Sequence, residues 1–479
     1  MPHVVVVGGG LTGLTVAFRL KQFAPEVGVT VLEPRDRPGG NVVTEDHRGF
    51  RVECGPNGFL DRTPAVPDLV RDLGLSDQLV AASDGSRKNR YVFLGNRLRK
   101  LPGGPLALLT TSLLSLRGKW QLLTEPWRKP RLFDQPDALN QPDAPARGQT
   151  HAEESVHEFV MRRAGREAAD VFADALVTGI HGGDPALLSV AAAFPRLPVM
   201  EREAGSIVRG FMRAAKKRKA DAQARGEPPP GPMKMWSFRE GLGVLVNGLH
   251  TKLGGAVKCG VAVSSVLEGA GVSPWKVTGE SGFTWSADAV VLACPAYEQA
   301  AILADLNQPL ADELAAIPYN RIAVVALGYR EEHCPGRHDG FGYIAPQNTR
   351  RDVLGVQWCS SIFPDRAPQG FVLWRALCGG VHRAEQVEWD DDRLARAVHN
   401  EIKLAMGVTG EPVFRRIVRW PNAIPQYVIG HLARVARVDA HAAKHPGLFL
   451  TGNAFRGVAM ADCVDQAGEV AAKVALYLK

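Results

Sequence analysis

Gly8, Gly9, Gly10, Leu11, Thr12 and Gly13 spell G-x-G-x-x-G directly after Val4, Val5, Val6 and Val7. Glycines at this spacing allow a tight turn and bring a pyrophosphate against backbone N–H groups at the positive end of a helix. The chain carries 50 glycines, so the hexamer alone is a weak signal. Its context strengthens it. Glu33 closes a second β-branched run about 20 residues after Gly13, where a carboxylate accepts ribose hydroxyls. Alone, Glu33 reads as a surface acid at a strand end; with the glycines it predicts a dinucleotide site. Arg37, Pro38, Gly39 and Gly40 follow, and this second glycine pair lets backbone pass along a diphosphate. No convincing Ser/His/Asp triad or carboxylate pair is evident. His181 lies in Gly179-Ile180-His181-Gly182-Gly183 and reads as a solvated loop histidine, with general base as the alternative.

These residues need elements to hold them. Residues 4–7 predict a strand buried on both faces, and Leu14, Phe18 and Leu20 mark a helix. Residues 29–32 make a second strand, which completes a βαβ unit. From 101 to 211 the pattern is helical, broken by a polar stretch at 133–150. Residues 213–233 hold Lys216, Lys217, Arg218 and Lys219 ahead of Pro228, Pro229 and Pro230. They read as a solvated loop or linker, with a phosphate-binding patch as the alternative. Strand-like runs return at 256–267 and 287–293, and 322–329 with 353–376 suggest a second sheet. Residues 448–452 are a strand and glycine turn before a last helix. The first and last segments therefore read as pieces of one nucleotide domain.

The 479 residues exceed one ordinary core. Hydrophobic residues at 45% and charged residues at 22% describe a globular protein. The net charge of +7 argues weakly for nucleic acid, and no nucleic-acid partner is expected; anionic substrates or anionic membrane surfaces suit it better. Cys54, Cys259, Cys294, Cys334, Cys359, Cys378 and Cys463 never stand at C-x-x-C spacing, against a disulfide framework, zinc or iron–sulfur, and for a reducing compartment. The opening Met1, Pro2 and His3 run straight into a strand, and no run of 18 apolar residues occurs. Neither signal peptide nor membrane span is expected, and a cytoplasmic enzyme is.

The run from Glu33 to Gly40 fits E-x-R-x-R-x-G-G and resembles the flavin-dependent amine oxidase superfamily. Cys294-Pro295-Ala296, after the 287–293 strand, resembles the turn that family places under its dinucleotide. Leu450-Thr451-Gly452-Asn453, with Gly457 and Val458, resembles the turn that seats its flavin ring. Within the superfamily, Cys54-Gly55-Pro56-Asn57-Gly58-Phe59 is similar to the G-P-N-x-F turn of the protoporphyrinogen oxidase family. Asn89-Arg90-Tyr91-Val92, Gly179 to Asp184, Gly340-Phe341-Gly342-Tyr343-Ile344 and Ile424-Pro425-Gln426-Tyr427 match further motifs of that family. The resemblance covers nearly the whole chain. Departures are mild: Glu240 replaces one glycine of a G-G-L segment, and Ala454-Phe455-Arg456 and Met460-Ala461 vary the closing run.

The resemblance implies an α/β protein. It has a discontinuous Rossmann-type FAD-binding domain of the p-hydroxybenzoate hydroxylase kind, a mixed-sheet substrate domain and a helical insert. Its expected segments are 1–90, 235–300 and 416–479 for FAD, 91–234 for the insert and 301–415 for the substrate sheet. It implies non-covalent FAD held by Gly8, Gly10, Leu11, Thr12, Gly13, Glu33, Arg37, Gly39, Gly40, Gly55, Pro56, Asn57, Val263, Trp420, Gly452, Asn453, Gly457 and Val458. The reaction implied is the penultimate oxidation of haem synthesis, protoporphyrinogen IX to protoporphyrin IX, six electrons passing through flavin to dioxygen or a quinone. Hydride loss from a bridging carbon needs little acid–base machinery, but it needs a flat apolar pocket and an anchor for propionates. By the resemblance Arg90 is that anchor, the Gly179 carbonyl faces a pyrrole N–H, and Ile344 and Leu377 sandwich the macrocycle. Read without it, Arg90 is a surface arginine and the two aliphatics are core. Coproporphyrinogen III is the alternative substrate; an amine oxidase, a carotenoid-type desaturase and a flavin- or porphyrin-binding carrier are more remote. The partner expectations extend to a ferrochelatase receiving the product, a homodimer, and peripheral contact with the inner face of the cell membrane. The membrane contact would run through Leu106, Leu108, Leu109, Leu113, Leu114, Trp120 and Trp127, with Arg117, Lys119, Arg128 and Lys129 close by.

Overall fold

Val4, Val5 and Val6 carry no exposed surface, as a β-branched run between two helical layers must. They lie in the His3–Val7 strand, central in a five-stranded parallel sheet. Its strand order is Val257–Cys259, Gly28–Glu33, His3–Val7, Ala289–Leu292, Leu448–Leu450. The helices Leu11–Phe23 and Met460–Tyr477, from opposite ends of the chain, share one core with this sheet through Leu14, Ala17, Val464 and Ala471. The computed structural model describes residues 1–131, 153–224, 226, 231, 233–269, 271, 273–336 and 338–479. The stretch at 133–150, expected to be polar and irregular, lies outside them.

The chain divides into two units. The first comprises 1–81, 235–318 and 434–479, and holds the parallel sheet. The second comprises 82–234 and 319–433. Its centre is a seven-stranded mixed sheet in the order Phe414–Trp420, Ile322–Arg330, Phe371–Gly379, Gly355–Trp358, Gly342–Ile344, Arg90–Leu94, Arg97–Lys100. One face of it is apolar over its centre. Phe93, Tyr343, Val356, Trp374, Val325 and Ile417 pack there against Leu394, Val398 and Ile402 of the Asp391–Met406 helix.

Past the Arg97–Lys100 strand, the insert of the second unit is helical in its described parts. The Val156–Ala164 helix opens with a capping box, in which Ser155 accepts from the Glu158 N–H and Glu158 accepts from the Ser155 N–H. From its last turn Arg163 is fully buried between Glu125 and Glu201, and Glu125 also accepts from the Ser206 hydroxyl and the Ile207 N–H. The expectation of a loop or linker at 213–233 is corrected over its first half. Residues 213–224 belong to the Ile207–Ala224 helix, and Lys216, Lys217, Arg218 and Lys219 lie on its exposed surface. Lysine, arginine and alanine are strong helix formers, and this outweighed the charge run.

Candidate functional site

In the first unit the turn after the His3–Val7 strand is a backbone cradle. Gly8 has φ +104°, and a Cβ on Gly13 would stand 1.9 Å from the Gly8 carbonyl oxygen. Only glycine fits that approach of helix to strand. Gly39 donates its N–H to the Gly9 carbonyl at 2.7 Å, and Gly10 bridges Gly39, so the two glycine pairs sit side by side. Arg35 Nη1 donates to the Gly40 carbonyl at 2.8 Å, and Arg37 Nη1 lies 3.4 Å from the same oxygen. Glu33, almost fully buried, accepts from the Gly9 N–H at 2.8 Å and the Arg35 N–H at 3.1 Å. Val263 begins a strand just beyond Val261, whose N–H donates to the Glu33 carbonyl.

Cys54, Gly55, Pro56 and Asn57 continue this neighbourhood. A Cβ on Gly55 would meet the Asn41 carbonyl at 1.9 Å, and Asn57 is buried. At the far end of the chain, Gly452 follows the Leu448–Leu450 strand with φ +132°, and Asn453, Gly457 and Val458 lead into the Met460–Tyr477 helix. At Gly457 a Cβ would overlap the Asp462 side chain, whose carboxylate accepts from the Ala459 N–H at 3.2 Å and pairs with Arg62. Leu11 and Thr12 are buried at the head of the first helix. Burial pushes the Cys463 thiol up to about 12, so it is no nucleophile at neutral pH.

Gln299 had no signal in the sequence. Its amide donates to the carbonyls of Cys294 at 2.7 Å and Thr451 at 3.1 Å, stapling the ends of two adjacent strands. Thr451 Oγ1 is buried there without a partner. Side-chain-free backbone, a ribose-type carboxylate and this orphaned hydroxyl fit an FAD. The diphosphate of FAD would lie along the glycine pairs, with Glu33 toward the adenosine ribose. Among the described residues no group of three or more metal-ligating side chains occurs.

In the second unit, Arg90, Ile344, Leu377 and Trp420 all come to the sheet face opposite the Asp391–Met406 helix. Strand register makes two rows on it. One row runs Val92, Ile344, Gly355, Leu377, Val324, Val418, and the other runs Arg90, Gly342, Gln357, Arg375, Ala326, Arg416. Trp420 stands beside Ile322 in the next row. Arg90 is exposed, its guanidinium 4.9 Å from the centre of the Phe341 ring, and desolvation lowers its pKa. Gly179 lies in the Asp174–His181 helix over this face, where a Cβ would stand 2.9 Å from Ile344 Cδ1.

His181 corrects the reading of a solvated loop histidine. It ends the Asp174–His181 helix with 1% of its surface exposed, edge-on to Phe194 and tilted against Tyr427. Burial lowers its pKa to about 4, so the ring is neutral at physiological pH. Gly182 takes the left-handed conformation that ends the helix, and this turns the histidine inward. Asn320, which the sequence did not single out, donates to the His181 carbonyl at 2.7 Å and accepts from the Ile424 N–H at 3.0 Å. Gln426 donates to the same His181 carbonyl at 3.0 Å. The Ile424–Tyr427 motif therefore anchors the helix over the sheet.

A parallel sheet with a glycine turn and terminal carboxylate, paired with a mixed-sheet unit, defines a two-unit flavoprotein oxidoreductase. Residues 11–475 match the family of flavin containing amine oxidoreductases, and the chain belongs to it. It is an FAD-dependent enzyme. Protoporphyrinogen oxidase 1, chloroplastic, of Arabidopsis thaliana is 31% identical over 98% of this chain and 87% of its own. Coproporphyrinogen III oxidase of Propionibacterium freudenreichii is 32% identical over 98% of this chain and 90% of its own. That of Bacillus subtilis (strain 168) is 28% identical over 99% and 98%. Among solved structures, a protein of Exiguobacterium sp. 255-15, provisionally named protoporphyrinogen oxidase, superposes with a TM-score of 0.80. Each chain is 99% covered, at 24% identity. A reduced UDP-galactopyranose mutase follows at 0.71 and 16% identity, covering 100% and 96%. Both structures establish the shared fold.

Proposed function

We propose that this flavoprotein oxidises protoporphyrinogen IX to protoporphyrin IX, with dioxygen or a quinone as final acceptor. The observation that carries it is the sheet face on which Ile344 and Leu377 flank Gly355 while Arg90 stands in the next row. Bound flavin supplies the hydride acceptor. Arg90 pairs with a propionate, the two aliphatics grip the ring, and their aliphatic row excludes water from the bridging carbon. No side chain needs to take the proton as a strong base, and neutral, buried His181 is not asked to.

Coproporphyrinogen III, with four propionates in place of two, is the second reading. Two of the relatives above carry that name, at 28% and 32% identity. Aerobic assays reading porphyrin fluorescence from each porphyrinogen test both. A higher kcat/KM on protoporphyrinogen supports the first, the reverse selects the second, and no porphyrin from either removes the function.

A peripheral contact with an anionic bilayer is proposed through the insert. It is supported by exposed Leu116, Trp120 and Trp127 beside Arg117, Lys119, Arg128 and Lys129. Leu113 and Leu114 of that stretch are buried and take no part. No helix of the described residues is long and apolar enough to cross a membrane. Liposome flotation at low salt tests the contact; protein that never floats removes it. Release of the porphyrin to a ferrochelatase and a homodimeric state complete the proposal, tested by pull-down and by sedimentation.

A further inference from the structure

Gln357 was not among the residues expected in the site, yet register puts it on the face that carries Arg90, Ile344 and Leu377. Across the sheet its neighbour on the Arg90 side is Gly342, and two residues back along its own strand is Gly355. Neither has a side chain to meet it. On its other side Arg375 is in register, but no donor reaches Gln357 Oε1, which is buried and without a hydrogen bond. A buried amide oxygen left unpaired is costly, and native structures keep few of them.

The reduced tetrapyrrole offers what this atom lacks. A porphyrinogen has four pyrrole N–H donors, all of which lose water when the ring enters an apolar slot. The fully oxidised porphyrin keeps two, and its other two nitrogens are acceptors that repel an amide oxygen. An acceptor here therefore separates substrate from product.

We infer that Gln357 binds the substrate, its Oε1 accepting a pyrrole N–H of the porphyrinogen and favouring the reduced ring over the porphyrin. The inference rests on the porphyrinogen reading. Nothing is transferred in this contact; Gln357 sets affinity and eases product departure.

The test uses the FAD holoenzyme with its flavin photoreduced, so that binding is measured without turnover. Anaerobic equilibrium dialysis gives Kd for protoporphyrinogen and protoporphyrin with wild type, Gln357→Met and Gln357→Asn. Gln357→Met should weaken porphyrinogen binding about tenfold, the scale of one neutral hydrogen bond, and change porphyrin binding little. Gln357→Asn should fall between, with flavin content and melting temperature held. An equal loss for both ligands, or no loss for either, overturns the inference. Should Gln357→Met fail to fold, Gln357→Asn carries the test, because its amide falls one methylene short and must still lower the preference for the reduced ring. Wild type that neither binds nor oxidises protoporphyrinogen or coproporphyrinogen sinks the porphyrinogen reading itself. Wild type that oxidises one of them, beside variants with unaltered affinities, removes Gln357 alone.

Discussion

Ile344 and Leu377 stand on one face of the seven-stranded sheet with only Gly355 in register between them. Two inter-strand steps separate them, about 9–10 Å, and the position between has no side chain. On the proposed reading a flat ring edge enters there, with an aliphatic contact on either side. Ile344→Ala and Leu377→Ala should each raise KM for porphyrinogen, by the equivalent of about 1–3 kcal/mol of lost apolar contact. Steady-state kinetics with flavin content in parallel checks this. Unchanged KM in both variants would remove the slot.

Arg90→Ala should weaken porphyrinogen binding about ten- to a hundredfold, because a charge-assisted pair contributes about 1.5–3 kcal/mol. Neither Arg90→Lys, without the planar fork, nor Arg90→Gln, without the charge, should recover most of the loss. The flavin spectrum should be unaltered in all three. Wild-type kinetics in the alanine variant would take Arg90 out of the site, and flavin loss would reassign it to folding.

Much of the first unit was legible because its chemistry is written in backbone. A nucleotide cradle needs glycine at fixed offsets, and Gly8, Gly13, Gly39 and Gly40 occupy such positions with positive φ or forbidden Cβ space. The parallel strand at residues 4–7 was legible because β-branched residues fill both faces. Gln299, Asn320 and Gln357 were not, since an amide's role depends on which carbonyls or orphaned space the fold brings to it. His181 was misread for a related reason: flanking glycines suggested a loop, while its burial comes from Phe194, past the next turn, and from distant Tyr427. The charge run at 216–219 looked like a solvated linker because net charge says little about helix propensity on an exposed face.

FAD should leave the polypeptide on acid precipitation. Cys463 follows the closing turn in the chain, and its thiol stays protonated. Absorbance of the supernatant and of the washed pellet checks this, and a yellow pellet would contradict it. Cys463→Ala should retain the full flavin content.

The buried charges of the insert give a signed pH dependence. Burial opposes ionisation of Glu125, but hydrogen bonds from Ser206, Arg163 and the Ile207 N–H outweigh it and hold the carboxyl below its ordinary range. A lowered folded pKa means stabilisation that is complete above the ordinary glutamate value and is lost as pH falls through the folded one. Melting temperature should drop more steeply in acid for wild type than for Glu125→Gln; parallel profiles would refute the linkage. Arg163→Met leaves buried Glu125 without its cation, while Glu201 keeps Arg162, and should cost about 3–5 kcal/mol near neutral pH.

Hydride transfer from a porphyrinogen to the flavin of this chain is the step proposed. Its most direct measurement is anaerobic mixing of the yellow holoenzyme with protoporphyrinogen and, separately, coproporphyrinogen, following flavin bleaching and porphyrin formation together. The expected result is bleaching by at least one of them, with three flavins reduced per porphyrin formed. Flavin that stays oxidised with both, yet bleaches with dithionite or with a simple amine, would contradict the account.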